Sequence, residues 1–132
     1  MVNSNKAVFL DRDGVLVKSF VKKGKAYAPT KFKDFKIYKD SEKCIEKLNS
    51  LGFLTIVVTN QPDVGKKLIS KDTLKKMHTS LKKKTKINKI YTCTHTPEQK
   101  CKCRKPMSGM LIKAAKVDQI NLKKSYMIGD RA

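Results

Sequence analysis

Phe53-Leu-Thr-Ile-Val-Val-Thr59 is a run of apolar and β-branched residues in which polar side chains never alternate. A strand wetted on one face would alternate, so this run calls for a sheet covered on both sides. The rest of the chain fits that demand. Lys6-Ala-Val-Phe-Leu10, Ile87 to Tyr91, and Tyr126-Met-Ile-Gly-Asp130 read as three more strands. Helical patterns fall between them. Asp40 or Ser41 can cap a helix with Ile45, Leu48 and Leu51 on one face, and Gly52 closes it. Ser70 can cap a second helix with Leu74, Met77 and Leu81 inside, and Met110 to Val117 makes a third. Alternating strands and helices predict an α/β fold, a parallel sheet covered by helices. Residues 15 to 35 read as an irregular surface excursion, and Asn60 to Gly65 as a loop. Cys44 reads as a buried or half-buried structural thiol, and His78, between lysines, as a surface residue.

In such a sheet, chemistry gathers beyond the carboxyl ends of the strands. Asp11, Thr59 and Asp130 each fall at such an end. Asp11 and Asp13 are one residue apart, with Gly14 permitting a tight turn. Carboxylates this close repel unless a cation lies between them. Magnesium takes oxygen ligands, commonly one or two carboxylates plus a phosphate oxygen. A carboxylate so held can attack phosphorus and form an aspartyl-phosphate. A solvated aspartate pair is the plainer reading, but a hydroxyl, a lysine and a third carboxylate at other strand ends or loops argue for the metal.

Four residues form a second constellation: Cys93-Thr-His95 and Cys101-Lys-Cys103. Three thiolates and an imidazole make a closed tetrahedral set for zinc, with no open position for a reacting water. The expected zinc is structural and pins the loop that carries Arg104 and Lys105. No recognition helix follows at zinc-finger spacing.

Asp11-Arg-Asp-Gly-Val-Leu16, Val58-Thr-Asn60, Lys105 and Gly129-Asp-Arg131, in that order, resemble the haloacid dehalogenase superfamily of aspartate-nucleophile phosphatases. The resemblance spans essentially the whole chain. With the Cys/His segment and Arg104-Lys-Pro106 added, it looks like the branch acting on heptose bisphosphates and histidinol phosphate. This resemblance implies a Rossmann-like sheet with a small zinc-stabilised loop. It implies Asp11 as nucleophile and magnesium ligand, and Asp13 as acid and then base, its backbone carbonyl helping to hold the metal. Thr59 would donate to a phosphoryl oxygen, Lys105 would offset charge, and Asp130 would be the third magnesium anchor. Asn60, Gln61, Arg104 and Arg131 would contact substrate, with Ser19 to Lys22 flanking it. The loop Pro62-Asp-Val-Gly-Lys-Lys67 departs from the heptose pattern. The branch's fourth motif also continues to another acidic residue, a strand and a helix, so residues 1–132 read as a single domain lacking its C-terminal part.

The implied function is magnesium-dependent hydrolysis of a sugar phosphate, D-glycero-D-manno-heptose 1,7-bisphosphate in cell-envelope precursor synthesis. Histidinol phosphate is the nearest other substrate. Charge raises a different class: 31 basic against 11 acidic residues give +20. A basic nucleic-acid-binding module with relict motifs, or a phosphatase of nucleic-acid ends, would use that charge. Only Arg12, Arg104 and Arg131 are arginines, and the lysines are scattered with few aromatics among them, which argues against nucleic acid. No apolar run is long enough to span a bilayer, and the N-terminus is no secretory signal. The expectation is a cytoplasmic monomer with a small phosphorylated substrate and no membrane partner.

Overall fold

The computed structural model describes residues 5–94 and 109–129. Six strands and four α-helices are described: β1 (Ala7–Leu10), β2 (Phe20–Lys22), β3 (Lys25–Tyr27), α1 (Ser41–Ser50), β4 (Leu54–Asn60), α2 (Pro62–Gly65), α3 (Lys71–Thr85), β5 (Lys89–Cys93), α4 (Gly109–Asp118) and β6 (Tyr126–Ile128). The main sheet has the order β5-β4-β1-β6, and each neighbouring pair is parallel.

Period-two alternation sorts the sheet's side chains onto two layers. Val8, Leu10 and Val57 join Ile45 of α1 and Leu74, Met77 and Leu81 of α3 in one core. Ala7, Phe9, Ile56 and Val58 join Met110, Ala114 and Ala115 of α4 in the other. Both faces of β4 are therefore dry, as its unbroken apolar run requires. The α/β architecture expected from the sequence is present.

Strand order fixes where a site can form. From β1 the chain moves to β4 and β5 on one side, then crosses to β6 on the other. Connections leave β1 in opposite directions, which opens a crevice at its carboxyl end. Asp11 is the residue that follows β1.

Several local expectations need correction. The excursion contains a hairpin: β2 and β3 pair antiparallel across Lys23-Gly24, both at positive φ (50° and 76°). Two such residues match the twist of flanking strands, and three-residue strands are too short to show alternation in sequence. Pro62 starts a one-turn helix where a loop was expected, its missing N–H costing nothing in a first turn. β5 lies two residues later than Ile87 to Tyr91, so Cys93 is the last strand residue and not part of a loop. Cys44 is exposed, because α1 turns Ser41 and Ile45 inward instead. Leu51 is exposed just beyond the helix end. Asp40 provides no side-chain cap, and the Ser41 hydroxyl donates instead to the Leu16 carbonyl, 2.9 Å away. Ser70 caps α3 as expected, accepting from the Thr73 N–H at 3.0 Å.

Candidate active site

Beyond β1 the backbone turns at once. Leu16 and Val17 N–H both donate to the Arg12 carbonyl at 3.0 Å, and Gly14 N–H donates to Val17 at 2.8 Å. Gly14 has φ 85°, a conformation that side chains resist. Asp11 N–H donates to the Ile128 carbonyl at 3.0 Å, which ties the half-buried Asp11 to the end of β6.

The turn drives Arg12 inward, where it is 0% exposed. Its Nε donates to Asp13 Oδ1 at 3.0 Å. Nη2 lies 3.0 Å from the same oxygen, an ion-pair contact without hydrogen-bond alignment. Nη1 lies 3.2 Å from His78 Nε2 and 3.9 Å from Met77 Sδ, both on α3. The ring of Phe35 is 5.4 Å from the guanidinium carbon. Arginine has only donors, so His78 Nε2 must accept and the ring proton must sit on Nδ1. Burial first, then the Arg12 charge, push the His78 imidazole from 6.5 down to about 4. It is neutral at physiological pH.

His78 is therefore not the surface residue that its lysine neighbours suggested. The missed signal was spacing: Leu74, Met77, His78 and Leu81 stand at i, i+3, i+4 and i+7, one inward face.

From the other side, β4 delivers Thr59 and its continuation Gln61, each 2% exposed. Gln61 Nε2 donates to Asp13 Oδ2 at 2.8 Å and to Thr59 Oγ1 at 2.9 Å. Its backbone N–H donates to the Cys93 carbonyl at 2.7 Å. Both amide hydrogens are thereby used, and the Thr59 hydroxyl keeps its own proton to donate. Asp13, Thr59 and Gln61 thus form one hydrogen-bonded group at the carboxyl edge of β1 and β4. Asn60 ends β4 opposite Cys93 in register.

Asp11, the Asp13 backbone carbonyl and Asp130 would be an all-oxygen donor set, the chemistry magnesium takes. Both Asp13 carboxylate oxygens are engaged by Arg12 and Gln61, which leaves its carbonyl as the fitting donor. Arg104, Lys105, Asp130 and Arg131 lie outside the described residues, as do His95, Cys101 and Cys103. Of the zinc set only Cys93 is described, buried at the end of β5. Among the described residues no group of three or more His, Cys, Asp or Glu could hold a metal.

Comparison with known proteins points the same way. The family model of polynucleotide kinase 3 phosphatase matches residues 6–132. D-glycero-beta-D-manno-heptose-1,7-bisphosphate 7-phosphatase of Helicobacter pylori is 33% identical over 136 residues, covering 98% of this chain and 75% of that protein. The histidine biosynthesis bifunctional protein HisB of Blochmanniella floridana is 30% identical, covering 97% of this chain and 36% of its own length. The crystal structure of D,D-heptose 1,7-bisphosphate phosphatase from B. bronchiseptica, complexed with magnesium and phosphate, superposes with a TM-score of 0.79. It is 25% identical and covers 95% of this chain and 70% of its own.

Proposed function

Because the chain belongs to the polynucleotide kinase 3 phosphatase family, of haloacid dehalogenase fold, we propose that it is a magnesium-dependent phosphatase acting on D-glycero-D-manno-heptose 1,7-bisphosphate. The observation that carries this is the linked group of Asp13, Gln61 and Thr59 beside Asp11, at the point where strand connections diverge. Phosphoryl transfer asks a protein for positioning and charge neutralisation, and this group offers both.

An Asp11 carboxylate oxygen attacks phosphorus as the bond from phosphorus to the ester oxygen breaks. Asp13 gives its proton to that oxygen, releasing the alcohol and leaving an aspartyl-phosphate on Asp11. Water then attacks phosphorus while Asp13 takes its proton. The Asp11–phosphorus bond breaks, and inorganic phosphate leaves. Thr59 donates to a phosphoryl oxygen throughout, and Lys105 would offset charge. Asp11, the Asp13 carbonyl and Asp130 would hold magnesium, which supplies further neutralisation of the phosphoryl group. Asn60, Arg104 and Arg131 would contact the rest of the substrate, a fork suiting a second phosphate. Gln61 orients Asp13 and Thr59.

Cys93, His95, Cys101 and Cys103 would hold a structural zinc. The support is their donor chemistry and the placement of Cys93 opposite Asn60, beside the site. One zinc per chain in the purified protein, with a lower Tm for Cys93→Ser, is the expected result. Zinc-free protein with unchanged Tm would exclude it.

A second reading, removal of a phosphate from a nucleic-acid end, is favoured by the family's own description and the +20 charge. One assay decides between the two. Phosphate release is followed from the heptose bisphosphate, histidinol phosphate and end-phosphorylated oligonucleotides, with and without magnesium, beside Asp11→Asn. Magnesium-dependent release from the heptose ester, abolished in the variant, is expected. Preference for the oligonucleotide would give the second reading, and no release from any ester would sink both.

A further inference from the structure

The route from α3 to Asp13 runs through a buried Arg12 and part-buried hydrogen bonds at either end of it. Arg12 is fully buried, and its Nη1 is matched to the acceptor nitrogen of His78 at 3.2 Å, from across the sheet-to-helix core. Met77 Sδ lies 3.9 Å from the same Nη1, and the Phe35 ring lies 5.4 Å from the guanidinium carbon. With the guanidinium fixed there, Nε meets Asp13 Oδ1 from one side while Gln61 meets Oδ2 from the other. A carboxylate gripped at both oxygens by planar groups has one rotamer. We propose that His78 and Arg12 are positioning residues that hold the Asp13 carboxyl aligned with the leaving-group oxygen, so that α3 takes part in proton transfer without touching substrate. This rests on the phosphatase reading above and assigns to that site two further residues.

The physical cost of losing the acceptor makes the case concrete. Nη2 already lacks an aligned hydrogen bond, so without His78 the guanidinium has a second nitrogen left with only the weak Met77 Sδ acceptor, and each unsatisfied buried donor is unfavourable. The guanidinium then turns toward whatever acceptor it can reach, and Asp13 turns with it.

A misaligned acid has a signature that a merely loosened protein lacks. An alkyl leaving group needs a proton as the bond to phosphorus breaks, whereas p-nitrophenolate leaves without one. The first step is therefore measured in single turnovers, enzyme in excess, for the heptose bisphosphate and for p-nitrophenyl phosphate. His78→Leu should slow the sugar ester at least about tenfold, part of the range that general acid catalysis supplies, and slow the aryl ester less than about threefold. Arg12→Lys, which keeps charge but loses the fork, should show the same split. His78→Gln, whose side-chain oxygen can stand where Nε2 stood, should recover at least about threefold of the loss. Equal slowing of both esters, or no recovery with glutamine, overturns the inference and leaves the phosphatase reading intact. Wild-type chain inactive on every ester overturns both. Should the leucine variant not fold, the wild-type ring decides by its nitrogen chemical shifts at pH 7. A proton on Nδ1 supports the inference, and a proton on Nε2 overturns it.

Discussion

Arg12 sits between two partners of opposite kind: a carboxylate that attracts it and an imidazole that can meet it only while neutral. Burial disfavours a protonated His78, and the neighbouring Arg12 charge adds to that, which is why its pKa is about 4 against 6.5 for an ordinary histidine. A depressed folded-state value means that the unfolded chain binds the extra proton first. Stability from this group is fully present above pH 6.5 and is lost as pH falls toward 4. The shift corresponds to ~3 kcal/mol at most. Urea unfolding of wild type and His78→Leu, compared at pH 7 and pH 4.5, should show the stability gap between them narrowing at acid pH. A gap independent of pH would mean that His78 is not buried against Arg12. Gln61 invites a parallel test, since one amide serves both Asp13 and Thr59. Gln61→Leu should lower kcat for phosphate release on the order of tenfold or more, because it removes both orienting bonds, with a smaller effect on KM. The carboxylates at 11 and 13 stand out in the sequence by their spacing taken together with Thr59, Lys105 and Asp130. Their buried supports do not, because Arg12 and His78 are far apart in sequence and charge composition hides a histidine among lysines.

Among elements, α3 shows how propensity and packing divide the work. Ser70 satisfies an N-terminal N–H, and Lys82, Lys83 and Lys84 occupy the last turn, where the helix dipole favours cations. Lys86 then turns left-handed at φ 62° and ends the helix. Leu81 is fully buried against the sheet. Chemical denaturation should separate these contributions: about 1 kcal/mol lost in Ser70→Ala, and about 3 kcal/mol in Leu81→Ala, which leaves a cavity in the core. If the cap variant lost as much as the core variant, packing would not be what holds α3. Elements of this kind were readable because a 3.6-residue apolar stripe survives any surface composition. β4 was readable for the complementary reason, that burial on both faces leaves a run of apolar and β-branched residues with no charged side chain to confuse the pattern. β2, β3 and α2 were not, since three or four residues carry no period, and positive φ at Lys23 is set by hairpin twist rather than by residue type. β5 runs on to Cys93, a residue whose thiol the sequence also offers as a metal ligand, so the strand end is hidden there.

For the whole molecule the question is what the +20 charge does. Topology narrows it. α3 leaves the carboxyl edge of β4 and returns the chain to the amino end of β5, so its terminal lysines lie at the edge of the sheet opposite Asp11. They cannot meet a phosphate being cleaved. Charge at that end can act only by general attraction to polyanions, which is strongly salt-dependent, while the site itself works at short range. The two behaviours should therefore separate. Raising salt from about 50 mM to about 200 mM should weaken binding of a single-stranded oligonucleotide by about 100-fold or more if several phosphates are engaged. The same change should alter kcat/KM for the heptose bisphosphate by less than about tenfold, the scale of moderate electrostatic steering. Asp11→Asn should abolish hydrolysis and leave oligonucleotide affinity unchanged. If the variant instead altered binding of an end-phosphorylated strand but not of its unphosphorylated twin, the strand end would be seated beside Asp11. The lysine coat would then be guiding a substrate to the site rather than merely keeping the chain in solution.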